Sequence, residues 1–320
     1  MKKGKGSVIT DFIKKNIVLI ILVIMMICFQ FFNKNFLSLN NIVTIIRQGA
    51  CTGILAVGLG VVLIVGGIDL SIAAMVSMLS VILGVLTVEN GWPVFPAILL
   101  CVALTTFIGF ISGTAIFATN MPPLIATLGM QNIVQGIAYL ANDGLPVYGI
   151  PEFIRSLGQD SLGIIPKPVI VWLIVLLAGW FMLEKTKLGR SIYAVGSNEE
   201  AARLSGINTF MIKLFSYSAC GFFAGISGVV MTGRLNSGQT LAGGTLYIDA
   251  LTACVIGGVS MNGGEGRIPG TIIGVVIMTA LANGMIAIGL NSYVQLAVKG
   301  LVMMMAVGFD SYQRKQKSKV

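Results

Sequence analysis

The sequence contains no histidine, which removes several classes of catalytic and metal site. Ser-His-Asp and Cys-His catalysis need an imidazole as the base, and histidine is the commonest ligand of transition metals. No C-x-x-C pair occurs either, so neither a disulfide framework nor a zinc site is indicated. We therefore predict no catalytic residue, no metal and no cofactor. The cysteines are expected to be small buried hydrophobes; they are Cys28, Cys51, Cys101, Cys220 and Cys254.

Charged residues are scarce as well, at 10% of the 320 residues, whereas soluble domains carry about 25%. The mean hydropathy is +0.92. Apolar runs near the ~20-residue length that crosses a bilayer recur from end to end. This composition predicts an all-α polytopic membrane protein with one transmembrane domain over residues 1–320. The net charge of +9 does not indicate nucleic-acid binding, because the basic residues lie in loops and at the ends.

The apolar runs and the breaks between them predict about ten membrane spans. No small-residue cleavage site follows the first run, so we expect a retained helix and not a signal peptide. The predicted spans are Ile17–Phe32, Thr44–Gly66, Leu70–Val88, Phe95–Ala118, a fifth ending near Leu140, Val169–Leu183, Phe210–Met231, Tyr247–Val259, Ile268–Ile288 and Ser292–Phe309. The tryptophans Trp92, Trp172 and Trp180 are interpreted as anchors at the membrane interface.

The distribution of basic residues predicts that both termini are cytoplasmic. The basic segments 1–15, 184–213 and 310–320 then fall inside. Five basic residues fall outside, namely Lys34, Arg47, Arg155, Lys167 and Arg234. Five spans precede the mixed loop Ala141–Pro168 and five follow it. An odd number per half gives the halves opposite orientation, so this frame suggests two inverted five-helix halves, without a clear sequence repeat to support them.

The loop at 184–213 is the longest strongly charged interior stretch, and its centre has the signals of a short helix. Ser197 can cap the N-terminus with Glu200 three residues later, and Gly206 can end the helix. Glu199 and Arg203 are four apart and can pair along one face. A helix of roughly two turns is unstable alone in water. We expect it to dock on a soluble partner; the alternative is a solvated loop with one helical turn.

A second interruption occurs where Gly66 and Gly67 break an apolar run, followed by Asp69 and Ser71. The glycines loosen the helix, and the two polar residues resemble caps of a new one. Non-helical backbone within the membrane is tolerated only against protein or a water-filled cavity. The sequence leaves two alternatives open: such a break within the membrane, or a tight turn between hairpin helices at the membrane face.

Asp69, Asp249 and Lys299 are ionisable residues in or near predicted spans, so each should face protein or water. One interpretation is a structural pair of Lys299 with either aspartate, which we favour because buried charges need partners. The other is a polar lining of a solute path, formed together with Gly66, Gly67 and Ser71. The glycine-rich segment 257–266 lacks a following G-K-[ST] and is not a P-loop. It is predicted to be a flexible turn and a second contact with a soluble partner.

Three stretches resemble ABC importer permeases of the ribose-type monosaccharide family. Glu200–Gly206 (EAARLSG) matches the E-A-A-x-x-x-G signature of such permeases, and Gly66–Ser71 resembles the G-I-D-L-S element of that family. Ala201–Asn208 and Gly257–Gly270 are similar to it too. The resemblance extends from about Phe36 to Val307, nearly the whole chain.

The resemblance implies a permease subunit of an ABC importer in the bacterial cytoplasmic membrane. Its implied partners are an ATPase with two nucleotide-binding cassettes, an extracytoplasmic sugar-binding protein and a second permease, either identical or a sister chain. Ribose, another pentose, galactose or a related signalling molecule would fit. Aromatic platforms for a sugar ring are not evident, so specificity is expected mainly in the binding protein. The implied coupling helix consists of Ser197, Asn198, Glu199, Glu200, Ala201, Ala202, Arg203, Leu204, Ser205 and Gly206.

Two other classes of membrane protein agree less well with the sequence. An ion-coupled secondary transporter of a small polar solute would place several carboxylates near the middle of the bilayer, where only Asp69 and Asp249 are candidates. It would also leave the capped helix without a purpose. An intramembrane enzyme would need paired aspartates within spans or a zinc motif, and the sequence contains neither.

Overall fold

The computed structural model describes residues 5–317, which are almost entirely helical. Of the predicted basic ends, Lys2, Lys3 and Lys319 lie outside the described residues. A π-helical turn, Val85–Glu89, continues the helix Ile72–Gly84. The helices in the described part are α1 Lys5–Phe32, α2 Leu39–Ile64, α3 Ile72–Gly84, α4 Val94–Thr119, α5 Pro123–Leu140, α6 Glu152–Gln159, α7 Lys167–Lys185, α8 Lys187–Ser197, α9 Glu199–Leu204, α10 Thr209–Leu235, α11 Leu246–Ile256, α12 Gly270–Ala287 and α13 Ser292–Lys317.

Four two-residue strands lie in the loops and form two antiparallel pairs. β1 (Val147–Tyr148) pairs with β4 (Ser237–Gly238), and β2 (Ser161–Leu162) pairs with β3 (Ile165–Pro166). The segment predicted as one mixed loop, Ala141–Pro168, therefore also contains a helix and three of these strands. Its helix α6 is held by packing against α10, a long-range contact that sequence periodicity does not show.

The two long helices α2 and α10 form the centre of the protein and pack against each other. α2 also contacts α7, α11 and α12, while α10 also contacts α3, α4 and α6. Trp172 of α7 is buried against Gly53 of α2, where an added Cβ would lie 2.2 Å from the indole. The prediction that Trp172 anchors at the interface is therefore wrong, because a glycine opens a place for this side chain in the core.

Within residues 5–317, seven helices are long and apolar enough to cross a membrane. They are α2, α3 with its π-helical turn, α4, α7, α10, α12 and α13. The described apolar part of α1, Leu19–Phe32, and α11 are shorter. α5 is not among the seven, although it has 18 residues. The chain is thus a polytopic all-α membrane protein, and every predicted span corresponds to a helix.

The two ends of α10 define the two sides of the molecule. Its first residues contact α8 and α9, which we call the α9 side. Its last residues contact α6 and precede β4, which we call the α6 side. The close approach at this second end requires glycine, since an added Cβ on Gly158 of α6 would lie 2.0 Å from the backbone nitrogen of Arg234.

Candidate functional site

The short helix predicted in the charged loop is present as α9, but its cap differs from the prediction. The side-chain oxygen of Asn198 accepts a hydrogen bond from the backbone N–H of Ala201 at 3.0 Å. Ser197 belongs to α8, and its hydroxyl donates to the carbonyl of Tyr193 at 2.8 Å. The assignment of Ser197 as the cap is wrong because α8 continues through it, which leaves Asn198 as the extended residue that a cap requires.

The end of α9 agrees with the sequence prediction. Gly206 has a φ of +82°, the left-handed conformation that glycine adopts without strain. Its N–H donates to the carbonyl of Arg203 at 3.0 Å, and the N–H of Ile207 donates to the carbonyl of Ala202 at 3.1 Å. These two bonds form a Schellman motif, which satisfies carbonyls that the helix end would otherwise leave free.

The two faces of α9 have different surroundings. Ala202 is buried, whereas the Leu204 side chain is 80% exposed. On the outer face, Arg203 donates to both carboxylate oxygens of Glu200 at 2.7 Å. The predicted pair of Glu199 with Arg203 is wrong, since Glu199 turns inward to Lys213 of α10, at 2.5 Å.

Lys213 begins a series of contacts that connects α9 with the interior. Its ammonium lies 4.6 Å from the centre of the Phe117 ring on α4, a cation–π distance. The Phe117 ring meets Tyr217 of α10 edge-on, with 5.7 Å between the ring centres. The Tyr217 hydroxyl donates to the carbonyl of Ile68 at 3.2 Å. A carboxylate on α9 is thus linked through two helices to the predicted break.

The break itself is present and packs against protein. α2 ends at Ile64 and α3 begins at Ile72, and both Asp69 and Ser71 between them are buried. One oxygen of Asp69 accepts from the Ser71 hydroxyl at 2.6 Å and from its backbone N–H at 2.9 Å. Ser71 precedes α3 as its N-cap residue, but its side chain makes no capping bond to that helix. Its hydroxyl is used to hold the aspartate instead.

The glycine-rich turn packs against the break and α8. The N–H of Gly264 donates to the carbonyl of Ile64 at 2.8 Å. Gly196 of α8 lies so close that an added Cβ would be 1.8 Å from the same carbonyl oxygen. The Tyr193 hydroxyl donates to the carbonyl of Gly266 at 2.7 Å. Burial, with repulsion from Glu184, raises the pKa of the Tyr193 phenol above its usual value and favours this donor state.

A cavity of about 390 Å³ lies where these segments meet on the α9 side. The break, the α4–α5 connection, the α8–α9 junction, α10 and the glycine-rich turn each contribute to its wall. Residues that line it include Gly67, Asn120, Asn198, Lys213 and Asn262. Three segments far apart in sequence, each singled out for its motif, thus form one site.

The remaining two ionisable residues form a pair elsewhere in the fold. Lys299 of α13 lies 2.7 Å from the carboxylate of Asp249 on α11, and both side chains are largely buried. Each charge therefore has a counter-ion within the protein, the arrangement that buried charges require. This geometry matches the structural pair that we favoured from the sequence, whereas a role of these residues in a solute path stays a prediction.

Residues 41–307 match the family described as branched-chain amino acid transport system / permease component. The chain belongs to this permease family. The ribose import permease protein RbsC of Escherichia coli strain K12 is 38% identical over 298 residues, 92% of each chain. RbsC of Bacillus subtilis strain 168 is 38% identical over 291 residues, 90% of each chain. The galactose/methyl galactoside import permease protein MglC of Escherichia coli strain K12 is 33% identical, covering 98% of this chain and 99% of that protein. No solved structure matches the chain.

Sequence reasoning missed two residues that hold this permease's site together, Lys213 and Tyr217. A signal for Lys213 was present, because it is a single lysine one turn into an apolar helix that follows an acidic segment. Tyr217 gave no such signal, since a tyrosine in an apolar helix is ordinary. Its role depends on Ile68 and Phe117, which are distant in sequence.

Proposed function

We propose that this chain is the permease subunit of an ABC importer that carries a monosaccharide across the bacterial cytoplasmic membrane. The support is the family match over most of the chain, together with relatives named as ribose and galactose import permeases. The sugar would be ribose, another pentose, galactose or a related signalling molecule.

The single observation that carries the mechanism is the two-faced helix α9. We propose that residues 197–206 form a coupling helix that fits a cleft of a separate ATPase with two nucleotide-binding cassettes. The exposed Leu204 is the apolar contact on its outer face, and the Glu199–Lys213 pair connects its inner face to the membrane helices. Movement of the ATPase would thus reach α4, α10 and the break as a displacement of packed side chains.

The other partners follow from the same proposal. The α9 side and both termini would be cytoplasmic, as the distribution of basic residues indicates. An extracytoplasmic sugar-binding protein would then deliver the sugar at the α6 side. A second permease, identical or a sister chain, would complete the path through the membrane. Phe117 lines the cavity, but its ring already contacts Lys213 and Tyr217, so the binding protein would determine most of the specificity.

A frame of ten spans in two inverted halves is part of this proposal. In each half a long central helix, α2 or α10, is followed by a non-helical break and a short helix, α3 or α11. A buried aspartate lies at each of these places, Asp69 before α3 and Asp249 in the first turn of α11. This repeated order of elements supports two related halves, and α2 and α10 pack together at the centre.

The proposal is tested by replacing Leu204 with glutamate. We expect Leu204→Glu to lose co-purification with the ATPase and at least tenfold of ATP-dependent sugar uptake, because a charge cannot occupy an apolar cleft. Leu241→Glu is the matched control for co-purification, since Leu241 is an equally large exposed side chain beyond α10 on the α6 side.

Sugar uptake measured in membrane vesicles also distinguishes this proposal from an ion-coupled secondary transporter. Uptake by the wild type should require ATP and persist when ion gradients are collapsed. Normal uptake by Leu204→Glu would contradict the coupling assignment. Uptake that follows an ion gradient without ATP would contradict the transporter class.

A further inference from the structure

Helix α5 of this permease has amide side chains near its middle. It contains Gln131, Asn132 and Gln135 within 18 residues and carries no charged residue. Its first residue lines the cavity on the α9 side. Towards its other end, the amide of Gln135 donates to the carbonyl of Thr240, beside β4, at 2.7 Å. α5 therefore runs from the α9 side to the α6 side, with Asn132 about halfway.

Asn132 and Gln131 have free amides at this depth. Asn132 is exposed and Gln131 is partly exposed, and neither side-chain amide makes a hydrogen bond to any residue in the described range 5–317. Gln135 differs, because its amide is bonded to Thr240. Gln131 lies beside the buried residues of α5, whereas Asn132 lies on its exposed face. Hydrocarbon offers no partner to an amide, so a face that presents the free amide of Asn132 at mid-helix is unfavourable against lipid. This face of α5 must therefore meet water or polar groups.

The same face has open space beside the amide. Ile125, Gly129, Asn132, Gly136 and Tyr139 follow one another at spacings of four and three residues, which places them on one side of a helix. A Cβ added to Gly129 or Gly136 would meet nothing within 4 Å. The opposite side carries the buried residues that pack on α3 and α4. The amide of Asn132 thus has room around it for a ligand.

Helix α7 shows what a lipid-facing surface of this protein looks like. Along its middle, the exposed side chains are all apolar, namely Leu173, Ile174, Leu177, Ala178 and Phe181. The exposed charged residues Glu184 and Lys185 lie at its end. α7 is also among the helices apolar enough to span a membrane, whereas α5 is not. The two helices are of similar length and both have a free face. Only the face of α5 includes a free amide, that of Asn132, so the two faces have different environments.

We propose that Asn132 lines the solute path and binds the hydroxyl groups of a neutral, polyhydroxylated solute. This inference rests on the proposed function, with the second permease closing the path opposite α5. An amide donates and accepts hydrogen bonds, as a sugar hydroxyl does, so the two groups are complementary. The lack of charge on α5 suits a neutral solute and not an ion.

The test uses cysteine accessibility in the assembled importer in membrane vesicles. Cys28 is replaced by serine because it is the exposed cysteine among the five, and the other four are buried. Asn132→Cys is treated with a charged methanethiosulfonate reagent, which reacts only with thiols in water. We expect rapid modification that blocks uptake of radiolabelled ribose, with galactose as the second probe. Ile174→Cys on α7 is the matched control and should react at least tenfold more slowly.

A second pair of variants measures the contribution of the amide itself. Asn132→Leu should lower sugar uptake at least tenfold without changing its membrane level or its association with the ATPase. Asn132→Gln keeps the amide and should retain uptake within about threefold. The inference is overturned if Asn132→Cys reacts as slowly as Ile174→Cys, or if Asn132→Leu transports normally. Failure of the proposed function is seen separately, as wild-type uptake that does not depend on ATP.

Discussion

Two ion pairs of this permease have the same length and opposite surroundings. Lys299 and Asp249 join α13 to α11 at 2.7 Å, and their side chains are 13% and 12% exposed. Arg203 and Glu200 lie 2.7 Å apart on α9, and theirs are 66% and 62% exposed. The first pair connects two helices of the membrane domain, whereas the second lies within one helical turn.

Equal distances do not imply equal contributions to stability. When an exposed ion pair forms, each charge gives up contacts with water for a contact with its partner, so the pair contributes only about 0–1 kcal/mol to stability. A buried charge that loses its partner has no water to replace it, so breaking a buried pair destabilises by about 3–5 kcal/mol. A third pair, Lys213 with Glu199, is intermediate at 14% and 50% exposure. It differs from both because it joins the proposed coupling helix to the membrane helices.

The largest effect is expected from Lys299→Met. This change leaves the Asp249 carboxylate without its cation in an apolar environment, so the free energy of unfolding should fall by about 3–5 kcal/mol. The measurement is chemical unfolding of the purified permease in detergent beside the wild type. The double variant Lys299→Met with Asp249→Asn removes both charges and should recover part of the loss. A double variant no more stable than the single one would show that the pair is not the cause.

An intermediate effect is expected from Lys213→Met. The lost pair and cation–π contact should reduce the free energy of unfolding by about 1–2 kcal/mol. The functional effect should be larger, since α9 loses its link to Phe117 and α10. We expect sugar uptake per ATP hydrolysed to fall about fivefold while the ATPase stays bound.

Exchange of the two charges gives the control for Lys213. The variant Glu199→Lys with Lys213→Glu restores the pair in reverse and should recover part of the uptake that either single change removes. If the reversed pair transports no better than Lys213→Met, the lysine acts through something other than Glu199.

The smallest effect on stability is expected from Arg203→Gln. The lost pair is exposed and spans three residues of one helix, so the change in the free energy of unfolding should stay below about 0.5 kcal/mol. The measurement is unfolding of the isolated permease, so that contacts of Arg203 with an ATPase do not contribute. A loss comparable to that of Lys299→Met would contradict the view that burial decides the contribution of these pairs.

The prediction of α9 from the sequence was right in position and wrong in detail. The end of α9 was predicted correctly at Gly206, because the left-handed conformation of this glycine ends the helix through local chain geometry alone. The cap shifted from Ser197 to Asn198 because α8, which sequence reasoning missed, continues through Ser197. Glu199 took Lys213 as its partner because α10 passes beneath α9, a contact between elements that spacing along one helix does not reveal.

The break after α2 was visible from its glycines, but its environment was not. Hydropathy could not distinguish a turn at the membrane face from a break inside it. In the fold, the break lies beside α8 and the glycine-rich turn, which Gly196 and Gly264 bring against the end of α2. The partner of Lys299 was undecided for the same reason, since both Asp69 and Asp249 were available in the sequence.

The amino-acid sequence alone determined the class of this protein, the helices of its predicted spans and the location of its interruptions. These properties follow from local composition, because an apolar run, a glycine or a capping residue acts on its own segment. The tertiary structure decided which charges pair, which motifs share one cavity and which helix presents a free amide. Such properties depend on contacts between segments that are far apart in the chain, and a one-dimensional pattern contains no distances between them.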